Sequence, residues 1–222
     1  MRPRCRLAGA LVAACAVLSA AGEEIPGGVT GVVYVQGDSL SAPWLPLPGA
    51  AVMAEAAVTD SGAAATEGQL TVGEHGLFPL IQVLEPGGVL RIISRSSSIH
   101  RLQATSERGD RVFSIALTIP GLEVPKTLHQ PGMLTLTCTQ PGHHLEIAHV
   151  LVTHHAGWAP TDGAGRYLVA GIPPGVRAIR VLHPGIGSAT DSVVVTPARA
   201  AERNFYLIRA DLPPAGALPE HP

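Results

Sequence analysis

The chain is short of cysteine, aromatic residues and lysine, and it shows neither a long apolar run nor helical periodicity. Of its three cysteines, Cys5 and Cys15 fall in an N-terminal segment that reads as a targeting signal. Removal of that segment leaves Cys138 without an intramolecular disulfide partner, and therefore as a metal ligand, a reactive thiol or a small buried apolar residue. Lys126 is the lone lysine, a compositional bias to which no mechanism attaches. Catalytic constellations are also missing. No serine, histidine and acid surround a recognisable nucleophile elbow, no glycine-rich loop opens a helix, and the acids are scattered. Cys138 and His143 acting as nucleophile and base would need an oxyanion hole, usually at a helix N-terminus, and no helix is evident. The expectation is a protein that is not an enzyme.

The N-terminus carries Arg2, Arg4 and Arg6, an apolar stretch from Leu7 to Leu18, and the small residues Ser19-Ala20-Ala21 before Gly22. This is the pattern of an export signal over residues 1–21, with the mature chain beginning at Gly22. The apolar stretch falls short of the roughly 20 residues needed to span a bilayer, so no membrane span is expected. Val12-Ala13-Ala14-Cys15 also resembles a lipobox, which would leave the protein lipid-anchored through Cys15; the apolar residues after Cys15 rank this second to a periplasmic or secreted form. Removing the three arginines from 15 basic residues leaves 12 against 17 acidic ones, a net charge near −5. That balance argues against nucleic acid and favours a partner with a basic face. Nothing in the sequence sets the oligomeric state.

What the chain does have is a succession of short runs rich in Val, Ile, Leu and Thr, set apart by Gly and Pro. They cover residues 29–36, 50–57, 70–72, 80–84, 89–94, 111–119, 133–138, 148–153, 166–170, 176–182, 192–196 and 203–208. Regular short strands with turn signals between them predict an all-β sandwich or barrel. Within this series, Met133–Thr153 stands out. A strand ends at Cys138, a turn on Pro141 and Gly142 delivers His143, and a second strand leaves through Val150. A thiolate and an imidazole five residues apart on a pinned loop can meet at one ion, and soft sulfur with imidazole nitrogen favours copper, zinc or iron.

Cys138-Thr139-Gln140-Pro141-Gly142-His143 resembles the copper loop of the cupredoxins in its azurin-like spacing. His100, in Ser96–Ala104, sits where that family takes its upstream histidine, and Phe78–Ile92 follows the family's strand, Pro-Gly turn and strand. The resemblance implies a Greek-key β-sandwich with one mononuclear copper ion held by His100, Cys138 and His143. It places the axial position at Ile147, which would be noncoordinating, since Met133 and Met53 do not fit; His144 is the alternative ligand to His143. Arg101 stands where the family usually has an asparagine that ties the ligand loops, and Arg95–Ser98 replaces its usual Asn/Asp-rich approach. Both departures predict a looser site. His149, His154 and His155 read as solvated imidazoles near a loop.

A second resemblance covers Thr161–Gly175, where Asp162-Gly163 and Gly165 supply a tight turn and Pro173-Pro174-Gly175 fixes the next. This run is similar to the carboxypeptidase regulatory-like module, a smaller transthyretin-like or Ig-like β-sandwich. The opening strands of that module are resembled by Val29–Val35 and Pro46–Val52, at the other end of the mature chain. The expected organisation is therefore a cupredoxin unit, residues 62–153, inserted into a sandwich made of 26–61 and 154–210, with a disordered tail over 211–222; loop tips tolerate such insertions. The alternative is a tandem of 26–153 and 154–210. The order of parts resembles secreted plastocyanin-like proteins labelled methylamine-utilisation proteins. Two functions stand side by side: a copper-binding electron carrier with a redox protein partner, and a metal-free structural or carbohydrate- and surface-binding sandwich.

Overall fold

The computed structural model describes residues 25–37, 42–55, 66–143 and 146–209. The expected signal segment, Gly22, Cys15, the tail and His144 lie outside the described residues. Every regular element described is a strand. In chain order they are β1 (Gly27–Gln36), β2 (Trp44–Pro46), β3 (Ala51–Glu55), β4 (Glu67–Gly73), β5 (Gly76–Phe78), β6 (Ile81–Leu84), β7 (Gly88–Ser94), β8 (His100–Ser106) and β9 (Arg111–Leu117). Then follow β10 (Glu123–Leu128), β11 (Gly132–Cys138), β12 (Ile147–Val152), β13 (His155–Pro160), β14 (Arg166–Ile172), β15 (Gly175–His183), β16 (Gly187–Val195), β17 (Ala200–Glu202) and β18 (Phe205–Leu207). The all-β expectation holds.

Strands β4–β12 build two facing sheets, ordered β10-β7-β4-β5 and β6-β12-β11-β8-β9. Strict alternation decides their inner faces: Leu90, Ile92 and Ser94 of β7 are buried while Val89, Arg91 and Ile93 are less so, and His100, Leu102 and Ala104 of β8 alternate with more exposed neighbours. A period of two sends successive side chains to opposite faces. The core so formed joins Leu70, Leu90, Ile92, Leu102, Leu136 and Val150, and Cys138 is part of it.

The remaining strands come from both ends of the chain. β1 pairs antiparallel with β14 and β2 and parallel with β17 and β18, and β13-β3-β15-β16 forms the opposing sheet. Val29–Val35 therefore lies beside strands drawn from residues 166–207. Val29, Val33, Val52, Tyr167, Ile179 and Val181 share a second core. In the turn that leads into β14 Gly165 takes φ +70°, and a Cβ there would fall 2.6 Å from Val33 O and 2.9 Å from Leu47 N. Only glycine allows that approach, which lets Val33 N donate to Gly165 O at 2.8 Å. Between the two sandwiches Ala51 and Met53 pack on Ile81, Val83 and Leu151 in a third buried cluster, flanked by Trp158 and Leu182.

Candidate metal centre

The centre grows from three neighbouring strands. β11 lies between β8 and β12, with Cys138 opposite Leu102 on one side and Thr137 opposite Ile147 on the other. His100 precedes Leu102 by two residues and so shares its inward face. One step beyond the Thr137–Ile147 pair, Cys138 N donates to Glu146 O at 3.2 Å, so Cys138 and Glu146 face each other across the ladder. The intervening turn is closed by His143 N donating to Gln140 O at 3.1 Å and Glu146 N to His143 O at 3.0 Å. Gly142 turns the chain at φ +90°, a conformation other residues resist.

Four potential ligand atoms meet there, all within 4.8 Å of one another: one nitrogen each of His100 and His143, the Cys138 sulfur and a Glu146 carboxylate oxygen. His100 Nδ1 lies 3.8 Å from Cys138 Sγ and 3.2 Å from His143 Nδ1. Glu146 Oε2 stands 2.9 Å from His100 Nδ1 and Oε1 3.1 Å from His143 Nδ1. Bonds of about 2.0–2.3 Å to a four-coordinate ion imply donor separations of roughly 3.3–3.8 Å; the sulfur to His100 distance of 3.8 Å meets this range and the other three are shorter. His100 is fully buried and Cys138 nearly so, whereas the His143 side chain is 23 % exposed. With both imidazoles in the tautomer that leaves Nδ1 free to ligate, lone pairs converge with no proton between them. A cation fits that donor set.

The electrostatics point the same way. Burial pushes the Cys138 thiol up, the backbone N–H groups of Gln140 and Arg101 at the sulfur oppose this, and the neighbouring Glu146 carboxylate raises it further. A thiolate beside a carboxylate in a buried site is unfavourable until a positive charge joins them. His100 Nε2, which carries the proton in the ligating tautomer, is buried with no hydrogen-bond partner among the described residues.

Arg101 does not leave the ligand loops untied. Its carbonyl accepts from Thr139 N at 2.8 Å and from Thr139 Oγ1 at 3.1 Å, so the link is made through the residue after the cysteine. The serine-rich approach is held as well: Glu74 accepts from Ser97 N, Ser96 Oγ and Ser97 Oγ at 2.6, 2.9 and 2.9 Å. These bonds, chiefly the Ser97 N–H, hold the Glu74 carboxyl below its ordinary range.

The axial expectation is corrected. Ile147 opens β12 and is 38 % exposed; strand alternation turns it outward and turns Glu146, 7 % exposed, toward the sulfur. Counting the hairpin register back from Cys138, instead of counting forward from His143, would have found the acid. His155 is corrected too. It is buried at 6 % exposure with neither ring nitrogen bonded among the described residues, beside Glu85, which accepts from His155 N at 2.7 Å and lies 2.8 Å from His154 Nδ1. His149 is partly buried, its Nδ1 3.4 Å from Thr135 Oγ1. A cleft of about 640 Å³, lined by Arg108, Asp110, Arg111 and His129 among others, lies at the other end of β8 and β11 and contributes nothing to the donor set.

No family model matches the chain, and no curated protein matches it. Solved structures of cupredoxins are similar to part of it. A purple cupredoxin from Nitrosopumilus maritimus is 18% identical, with a TM-score of 0.33 over 38% of this chain and 98% of that one. A reduced auracyanin from Roseiflexus castenholzii is 15% identical, with a TM-score of 0.34 over 41% of this chain and 99% of that one. Auracyanin A, a "blue" copper protein from Chloroflexus aurantiacus, is 14% identical, with a TM-score of 0.33 over 39% and 99%. At such identities the likeness concerns the β-sandwich alone.

Proposed function

We propose that this chain is an exported, cupredoxin-like copper protein that carries single electrons through one ion held by His100, Cys138 and His143. The observation that carries the reading is the convergence of two imidazole Nδ1 atoms and a thiol sulfur within 4.8 Å in a mostly buried site. Soft sulfur with imidazole selects copper over hard ions. Bound copper would supply the one-electron step between Cu(I) and Cu(II). The chain's own residues do the rest. His100 and Cys138 sit on adjacent paired strands, which fixes two donors in place through either oxidation state. His143 is on the turn and reaches solvent, giving the centre its edge toward a partner.

The strand pairings support a cupredoxin unit over 62–153 set into a carboxypeptidase regulatory-like sandwich of 26–61 and 154–210, because β1 and β3 pair with strands that follow residue 153. Export to the periplasm or beyond rests on the N-terminal pattern, and among the described residues no helix is long and apolar enough to cross a membrane. The acidic balance after cleavage suits a redox protein with a basic face. The donor set, in which only His143 is partly open, supports a role as carrier.

A second reading, a surface-binding sandwich, is favoured by one feature. Tyr34 stacks on Tyr206 at 5.2 Å and Trp44 meets Tyr206 edge-on at 5.1 Å, with Trp44 and Tyr206 exposed. Copper reconstitution of the exported form separates the two. The carrier reading expects a strong visible thiolate-to-Cu(II) band that disappears in Cys138→Ser, with copper binding weakened in His100→Ala and in His143→Ala. A colourless protein that takes up no copper refutes it.

A further inference from the structure

We propose that Glu146 is the fourth ligand of the centre and that its carboxylate makes the site prefer the divalent ion. The inference rests on His100, Cys138 and His143 being the copper ligands. It starts from the register that puts Glu146 opposite Cys138 on the inner face, where its two oxygens straddle the imidazoles at 2.9 and 3.1 Å. Among the described residues, the ion pairs of Glu146 are with these two imidazoles.

In the metal-free protein a proton on each Nδ1 would satisfy these contacts. Ligation through Nδ1 takes those protons away from both rings at once. A carboxylate that is 7 % exposed would then be stranded without a donor, a costly state for a buried charge. The ion that displaced the protons is a positive group within reach, so coordination by an oxygen of Glu146 restores its partner.

Charge balance gives the consequence. Thiolate and carboxylate together carry −2, which a divalent ion neutralises and a monovalent ion leaves at −1 in a buried site. A thioether or aliphatic group in the same place would leave +1 with Cu(II) and zero with Cu(I). The carboxylate is also the hard donor of the set. Both effects favour Cu(II) over Cu(I), whereas the axial residue expected from the sequence, Ile147, would favour the reduced ion.

The test uses the copper-loaded full chain with Glu146→Gln and Glu146→Met. Visible absorption, electron paramagnetic resonance and a spectroscopically followed redox titration are the readouts. Both variants should keep a thiolate band at a shifted position. The ratio of Cu(II) to Cu(I) affinity should fall at least tenfold in Glu146→Met, equivalent to a rise of about 59 mV for one electron. A coloured wild type whose variants show the same band and a ratio within twofold overturns the assignment while leaving the copper reading intact. A wild type with no thiolate band overturns both. If the variants fail to fold, a crystal structure of the copper-loaded wild type decides. An Oε to copper distance of about 2.0–2.2 Å supports the assignment, and one beyond about 3 Å overturns it.

Discussion

Met53→Ala probes whether the two sandwiches are one folding unit. Met53 is 2 % exposed on β3 and packs against Ile81, Val83 and Leu151 of the other sandwich. Truncation of a buried methionine to alanine costs about 2–5 kcal/mol. Because β3 is paired on both sides, by β13 and β15, its backbone cannot shift to close the gap, which puts the loss at about 3 kcal/mol or more. With a urea slope of roughly 2–3 kcal/mol per M for a chain of this size, the midpoint should fall by about 1–1.5 M. Trp158, beside the cluster, reports locally by fluorescence once Trp44, the other tryptophan, is changed to Phe, and circular dichroism reports on all strands. Coincident, shifted transitions are expected from both probes. A loss below about 1 kcal/mol, or a shift seen by Trp158 alone, would refute the argument that this seam is a packed core.

Thr161 accepts from Ala50 N at 2.9 Å and donates to Leu47 O at 2.7 Å while 6 % exposed. Thr161→Val should strand a buried donor and a buried acceptor and lose about 2–4 kcal/mol in urea melts; a loss under about 0.5 kcal/mol counts against it. Ile147→Met should leave the copper spectrum and potential unchanged, because that side chain faces solvent; a changed potential would restore Ile147 to the centre. Burial holds the imidazoles of His149, His155 and His183 below the ordinary value, opposed at His155 by Glu85. Between those lowered values and about 6.5 the unfolded chain binds more protons, so stability is complete above this window and falls as pH drops through it, by up to about 1.36 kcal/mol per pH unit per proton. Metal-free protein melted between pH 5 and 7.5 should show this, and His155→Phe should flatten the slope; an unchanged slope contradicts the buried assignment.

The all-β class was readable because Val, Ile, Leu and Thr recur between Gly and Pro turns along most of the chain. Strands without that composition escaped: β8 opens with His-Arg, β10 carries Pro125 and Lys126 at its middle, and β13 is held by pairing to β3 more than by its own residues. At the centre, the five-residue spacing of Cys138 and His143 marked both, and His100 followed from the resemblance to the cupredoxins, at the place where that family takes its upstream histidine. Glu146 did not, because the expectation fixed the axial residue by distance along the chain from His143. The ladder fixes it by register across from Cys138, and a shift of one residue in a strand exchanges the two faces. His155 was misread for a related reason. Sequence shows a polar residue beside a loop, whereas in the fold His155 opens β13, paired to the distant β3 opposite Glu55.

The hairpin of β11 and β12 joins the seam to the centre, and its length keeps them apart. Met133 and Leu151 touch the seam at one end, and Cys138 and Glu146 stand five residues away at the other, about 17 Å along an extended strand. Sites separated by more than about 10 Å with no shared partner contribute additively to stability. Metal bound to the folded state alone raises stability by an amount set by its concentration and affinity, so Met53→Ala and wild type should gain the same increment on loading with copper even though they start about 3 kcal/mol apart. The visible band should likewise be identical in the two. An increment that shrank in Met53→Ala would mean that the seam helps to hold the hairpin in register, since a slip at Leu151 would carry Glu146 away from Cys138.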